Sequence, residues 1–106
     1  MAAQVNYELI WTEPAWCDLE RIDRYLRRRN PTAAKKLGEG LLKRVEILKT
    51  HPHAGRIYDP ELPHRILLHR DYKVFYRVLA EPRIVEISHV RHAARDNPTL
   101  DDLMID

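Results

Sequence analysis

The chain has one cysteine, Cys17, so an internal disulfide is excluded. That suits a reducing cytosol. Cys17 lies in a helical pattern beside Trp16 and is expected to be a packing residue, as free cysteines mostly are. No apolar run approaches the roughly 20 residues that a membrane-spanning helix needs. The opening Met1-Ala2-Ala3-Gln4-Val5 lacks the basic and apolar segments of a secretory signal. There is no low-complexity tract and no internal repeat. His51 and His53 flank Pro52 without the further convergent ligands a metal would need, so neither metal nor cofactor is expected. A cytoplasmic protein is expected, its 106 residues forming one domain with a small core.

Charge is unevenly distributed along the chain. From Asp96 to Asp106 there are four acids and no lysine or arginine, a charge of −4. The net charge of +2 therefore leaves +6 on residues 1–95. The expected organisation is one domain over 1–95 and an acidic tail over 96–106. A basic body suits an anionic partner, either nucleic acid or an acidic protein.

Val5–Trp11 reads as a strand that closes on an apolar pair. Thr12 is the expected N-cap of a helix with Pro14 in its first turn. Ala15, Leu19, Ile22 and Leu26 form its apolar stripe, and Arg27-Arg28-Arg29 complement the dipole at its end. Asn30 and Pro31 open a second helix with Ala34, Leu37, Leu41, Val45 and Leu48 on its buried face. The short junction implies an antiparallel helix hairpin. Gly38 and Gly40 each cost that helix roughly 1 kcal/mol against alanine. Gly38, one position from the stripe, is the expected point of close approach to the first helix.

After the break at His51–Gly55, a short strand is expected at Arg56–Tyr58, then strands at His64–Leu68, Tyr72–Leu79 and Arg83–Arg91. Counting the long strands alone, the order is β-α-α-β-β-β, an α+β arrangement with a two-helix hairpin on one face of a small, mainly antiparallel twisted sheet. Strict alternation puts Tyr72, Val74, Tyr76 and Val78 on one face and Lys73, Phe75, Arg77 and Leu79 on the other. It likewise opposes Ile84, Glu86, Ser88 and Val90 to Val85, Ile87, His89 and Arg91. Arg65 and Arg77 are expected to meet on the face away from the helices, with His92 and Arg95 arriving from the strand end.

Four segments, in order, carry a family resemblance. They are Pro52–Arg56, Leu62–Arg65, Tyr72–Val78 and Ile87–Arg95, joined by the helix junction Asn30–Ala34. Together they resemble the RelE/ParE superfamily, the toxin halves of bacterial type II toxin–antitoxin modules. The resemblance covers residues 5 to 96. It implies the α+β fold above, no membrane association, and a cognate antitoxin, acidic and encoded alongside, that covers the working surface. ParE-like members inhibit DNA gyrase. RelE-like members cut messenger RNA on the ribosome without a metal, by attack of the ribose 2′-hydroxyl on the adjacent phosphate. In that chemistry Arg65 and Arg77 match positions that stabilise the phosphate. His92, or else His64 or His89, would act as acid or base near neutrality. Tyr72 or Tyr76 would stack on a base.

Arg56, Arg65, Lys73, Arg77, Arg91 and Arg95 are the cations expected to bind the target. The chain departs from the RelE pattern in lacking lysines over Arg56–Glu61 and in its acidic ending. Those departures favour a ParE-like action on gyrase, plasmid stabilisation and growth inhibition included. RNA cutting by a histidine-based site and a non-toxic, antitoxin-binding remnant are the alternatives. A plainer reading stands beside these roles: Arg65 and Arg77 as strand residues paired with Glu61, Glu86 or Asp71, His92 as a strand cap, and Arg27–Arg29 as a solvated helix end.

Overall fold

A computed structural model describes residues 6–93 of the chain. The elements run β1 (Glu8–Trp11), α1 (Glu13–Arg29), α2 (Pro31–Glu46), a 3-10 turn (Ile47–Lys49), β2 (Arg56–Ile57), β3 (His64–His69), β4 (Tyr72–Leu79) and β5 (Ile84–His92). Capping sets both helices. Thr12 Oγ1 accepts from the Ala15 amide at 3.3 Å and donates back to the Ile87 carbonyl at 2.8 Å, tying the start of α1 to β5. Asn30 ends one helix and begins the next. Its amide donates to the Leu26 carbonyl, and its side chain accepts from the Ala33 amide at 3.1 Å. Pro31 fills the first position of α2, where no amide hydrogen is needed.

The sheet order is β1-β5-β4-β3-β2. β1 lies parallel to β5, and every other neighbour is antiparallel. The two helices cover one face. Between them and the sheet lies a core of Ala15, Leu37, Leu41, Val45, Leu48, Leu67, Val74, Tyr76, Val85, Ile87 and Val90. A smaller cluster sits on the far side of the sheet, where Ile66 and Phe75 pack under Tyr58 and Leu62 of the β2–β3 loop.

A bulge corrects the strict alternation expected for β5. Phe75 opposes His89 while Tyr76 opposes Ile87, so Ser88 is an extra residue. Past it the faces invert, and Val90 joins Val85 and Ile87 in the helix-side core rather than opposing them.

Two further expectations are corrected. Cys17 is exposed rather than packed, because it sits on the solvent side of α1 between buried Ala15 and Asp18. Gly38 approaches nothing: a Cβ there would meet no atom within 4 Å. The close approach belongs to Gly40, where a Cβ would lie 2.9 Å from His69 Nε2 on β3.

Candidate target-binding surfaces

Residues directly opposite in an antiparallel pair share a face. Three rows therefore cross the sheet on the side away from the helices. The first is His64, Arg77, Glu86 and Ile10. The second is Arg56, Ile66, Phe75 and His89. The third is Leu68, Lys73 and Arg91. Of the six cations expected at the target surface, Arg56, Lys73, Arg77 and Arg91 share this distal face.

Arg65 does not. It stands opposite Tyr76, a helix-side core residue, so Arg65 and Arg77 occupy opposite surfaces of the sheet. The expected convergence of the two is thereby corrected. The reason is period two: from His64 and Arg77, which face each other, one step along β3 turns the side chain over. Both arginines also hold the chain's own structure. Arg65 Nη1 donates to the Gly55 carbonyl at 2.8 Å and fastens the loop before β2. Arg77 Nε donates to Glu86 Oε1 at 2.7 Å, a half-buried ion pair across adjacent strands. Arg95 and the acidic 96–106 segment lie outside the described residues.

His64 is 2% exposed, and neither ring nitrogen has a hydrogen-bond partner among the described residues. Burial pushes its pKa below the ordinary histidine value, and the Arg77 charge pushes the same way against Glu86. The ring is therefore neutral at pH 7.

β1 is shorter than β5, and a side chain continues its edge. Asp18, buried on α1, accepts from the Val90 amide at 3.0 Å and bonds His89 Nδ1 at 2.9 Å. It also pairs with Arg91, and more loosely with Arg21 at 3.6 Å. Burial raises the carboxyl's pKa, but the bonds from His89, Arg91 and the Val90 amide outweigh it and hold the group below its usual range. This node ties α1 to the end of β5.

Beside it opens a cleft of about 220 Å³ lined by Asp18, Arg21, Ile22, Tyr25, Tyr72, Val90, Arg91 and His92. His92 stands edge-on to Tyr72, ring centres 5.4 Å apart, far from the pairing of Arg77 with Glu86. Arg21 and Tyr25 continue from this cleft into a shallow surface lined by Arg24, Arg28 and Arg29. Sequence reasoning singled out neither Arg21 nor Arg24. Their signal was present: positions 21, 24, 25, 28 and 29 fall at three- and four-residue spacing and share a helix face.

On the other side of α1, Trp16, Leu19, Ile22, Ala34, Leu37 and Gly38 line a mainly apolar groove between the helices, of about 260 Å³, with the acids Glu20 and Asp23 at its wall. Trp16 is 43% exposed there and stacks on Trp11 at 5.0 Å.

A helix hairpin on a five-stranded, mainly antiparallel sheet is the fold of the RelE/ParE superfamily of toxins. Among solved structures, the chromosomal ParDE toxin–antitoxin system from P. aeruginosa matches with a TM-score of 0.71 and 20% identity, over 85% of this chain and 98% of that one. The toxin–antitoxin complex RelBE2 from Mycobacterium tuberculosis matches with a TM-score of 0.61 and 20% identity, over 90% and 100% of the two chains. No curated protein matches the sequence. Residues 9–97 match the family described as ParE toxin of type II toxin–antitoxin system, parDE, and the chain belongs to that family.

Proposed function

We propose that this toxin stops growth by binding DNA gyrase, as expected of the ParE branch, and that a cognate antitoxin from an adjacent gene neutralises it. The observation that carries the reading is the placement of Arg65 and Arg77 on opposite sheet surfaces, each already engaged by the fold. Cutting RNA by 2′-hydroxyl attack needs a base, an acid and cations for the phosphorane around one phosphate. Among the described residues, Arg65, Arg77 and His92 do not line one cleft. Binding without cutting asks only for a cationic surface, and the arginines of α1 offer one. The apolar groove between α1 and α2 suits a helix of the antitoxin, whose acidic segments would complement the +6 body.

RNA cutting is the second reading, and one feature favours it: His64, Arg77, Glu86 and His89 lie close enough on the distal face for their charges to interact. On that reading Arg77→Ala lowers cleavage about 100-fold. A non-toxic remnant is the third. Expression with and without the neighbouring gene separates them. Gyrase poisoning predicts growth arrest relieved by the neighbour, relaxed or broken plasmid, and intact messages. Codon-positioned RNA breaks with normal supercoiling would replace the gyrase reading with the ribosomal one. Unaffected growth from folded, well-expressed protein would leave only the remnant.

A further inference from the structure

We infer that the exposed face of α1 is a binding ridge for the phosphate backbone of duplex DNA, built from Arg21, Arg24, Arg28 and Arg29 around Tyr25. The five side chains line one shallow surface depression. Arg24 and Arg28 make no ion pair among the described residues, and Arg29 lies over the Tyr25 ring at 4.6 Å. Among the described residues, the one acid bonded to the ridge is buried Asp18, 3.6 Å from Arg21 and already shared with His89 and Arg91. Asp23 is paired with Arg27 at 3.0 Å outside the depression, and exposed Glu20 stands one turn before Arg24.

Every cation of the ridge is arginine, whose planar fork grips phosphate or carboxylate oxygens two at a time. Two features favour DNA over an acidic protein. A protein partner needs an apolar centre to its patch, but the exposed large hydrophobics Ile10, Trp16, Leu42, Ile57 and Leu68 lie elsewhere, leaving Tyr25 alone here. Arg21 to Arg28 spans about 10 Å along the helix axis, several phosphates of one strand. Duplex DNA also fits better than duplex RNA. The major groove of B-DNA, about 12 Å wide, admits a helix, whereas that of A-form RNA is too narrow.

The inference does not depend on which enzyme the toxin inhibits, and its test involves no gyrase. The full-length protein is titrated against a labelled 20-base-pair duplex of arbitrary sequence, by fluorescence anisotropy at stepped salt. Binding is expected to weaken linearly on a log–log plot of affinity against salt. Arg24→Ala and Arg28→Ala should each lower that slope by about one, and the double variant should weaken binding about tenfold or more at 0.1 M salt. Arg27→Ala removes the same charge from another side of α1 and should leave the slope unchanged. Circular dichroism confirms folding of each variant. Absence of binding at low salt overturns the ridge, as does equal loss in Arg27→Ala, which would mean diffuse attraction. Displacement by polyglutamate at equal charge would reassign the face to an acidic polypeptide, and tighter binding of a duplex RNA would reassign it to RNA.

Discussion

Asp18 concentrates more structure than any other side chain on the described edge of β5. It replaces a missing strand for the Val90 amide, orients His89 and neutralises Arg91. Removing one partner of a buried ion pair leaves the others uncompensated. Asp18→Ala should cost about 3 kcal/mol or more, read from urea denaturation at pH 7. Because the folded pKa is depressed, the unfolded chain binds the proton more readily. The Asp18 contribution is thus present above the unfolded carboxylate pKa and lost as pH falls through the folded one. His64 has the same sign in a higher window. Its folded pKa lies below the ordinary 6.5, so stability should decline as pH drops from 7 toward 5. His69, also depressed, adds to that slope. Urea midpoints across this range should fall less steeply in His64→Gln than in the unaltered chain. An equal slope would remove His64 from the account.

Gly55 and Tyr76 form a second residue-scale lock. The buried Tyr76 hydroxyl accepts from the Gly55 amide at 2.8 Å, and burial pushes the phenol's pKa up. A Cβ on Gly55 would lie 2.6 Å from the Ile66 carbonyl oxygen and 2.7 Å from that hydroxyl. Gly55→Ala should cost about 1–3 kcal/mol by overpacking. Tyr76→Phe should cost a similar amount by orphaning a buried amide. Thermal melts of both variants check this, and an unchanged midpoint in either would contradict it.

At the scale of elements, the cap of α1 also binds helix to sheet. Thr12→Ala loses the cap bond and the donation to Ile87, so about 1–2 kcal/mol of stability should go, measured by urea denaturation. A loss near zero would mean that water replaces both bonds. Both helices, their shared Asn30 cap and the three long strands were legible in the sequence, because prolines, caps and apolar periods are local signals. The parallel pairing of β1 with β5 joins residues 8–11 to 84–87, a contact that no local signal carries. The bulge at Ser88 was hidden too, since a one-residue insertion leaves both apolar runs intact and changes only which side they face. The arginine pair was misplaced through its partner. Arg65 and Arg77 each follow a plausible alternation, but the register that sets them opposite Tyr76 and His64 comes from the tertiary fold. Burial of Asp18 was equally hidden, as its partners lie about seventy residues away in the chain.

At the scale of the whole molecule, charged and apolar side chains are partitioned among separate surfaces. The apolar groove between the helices is separate from the arginine side of α1, and both are separate from the distal sheet face. An antitoxin seated in the groove would then act by covering or displacing neighbouring surfaces rather than by filling a catalytic cleft. Trp16→Ala should weaken antitoxin binding at least tenfold, as expected for a stacked aromatic at a groove, while leaving toxicity of the free chain intact. Titration calorimetry against the adjacent gene product and a growth assay supply the two readouts. Unchanged affinity would move the antitoxin site elsewhere.

The most direct test of the central claim is supercoiling of relaxed plasmid by purified gyrase, with the purified chain added in increasing amounts. Inhibition by binding predicts progressive loss of supercoiled product with accumulation of broken DNA, both reversed by the antitoxin. Undisturbed supercoiling, alongside cleavage of messages on translating ribosomes by the same preparation, would contradict it.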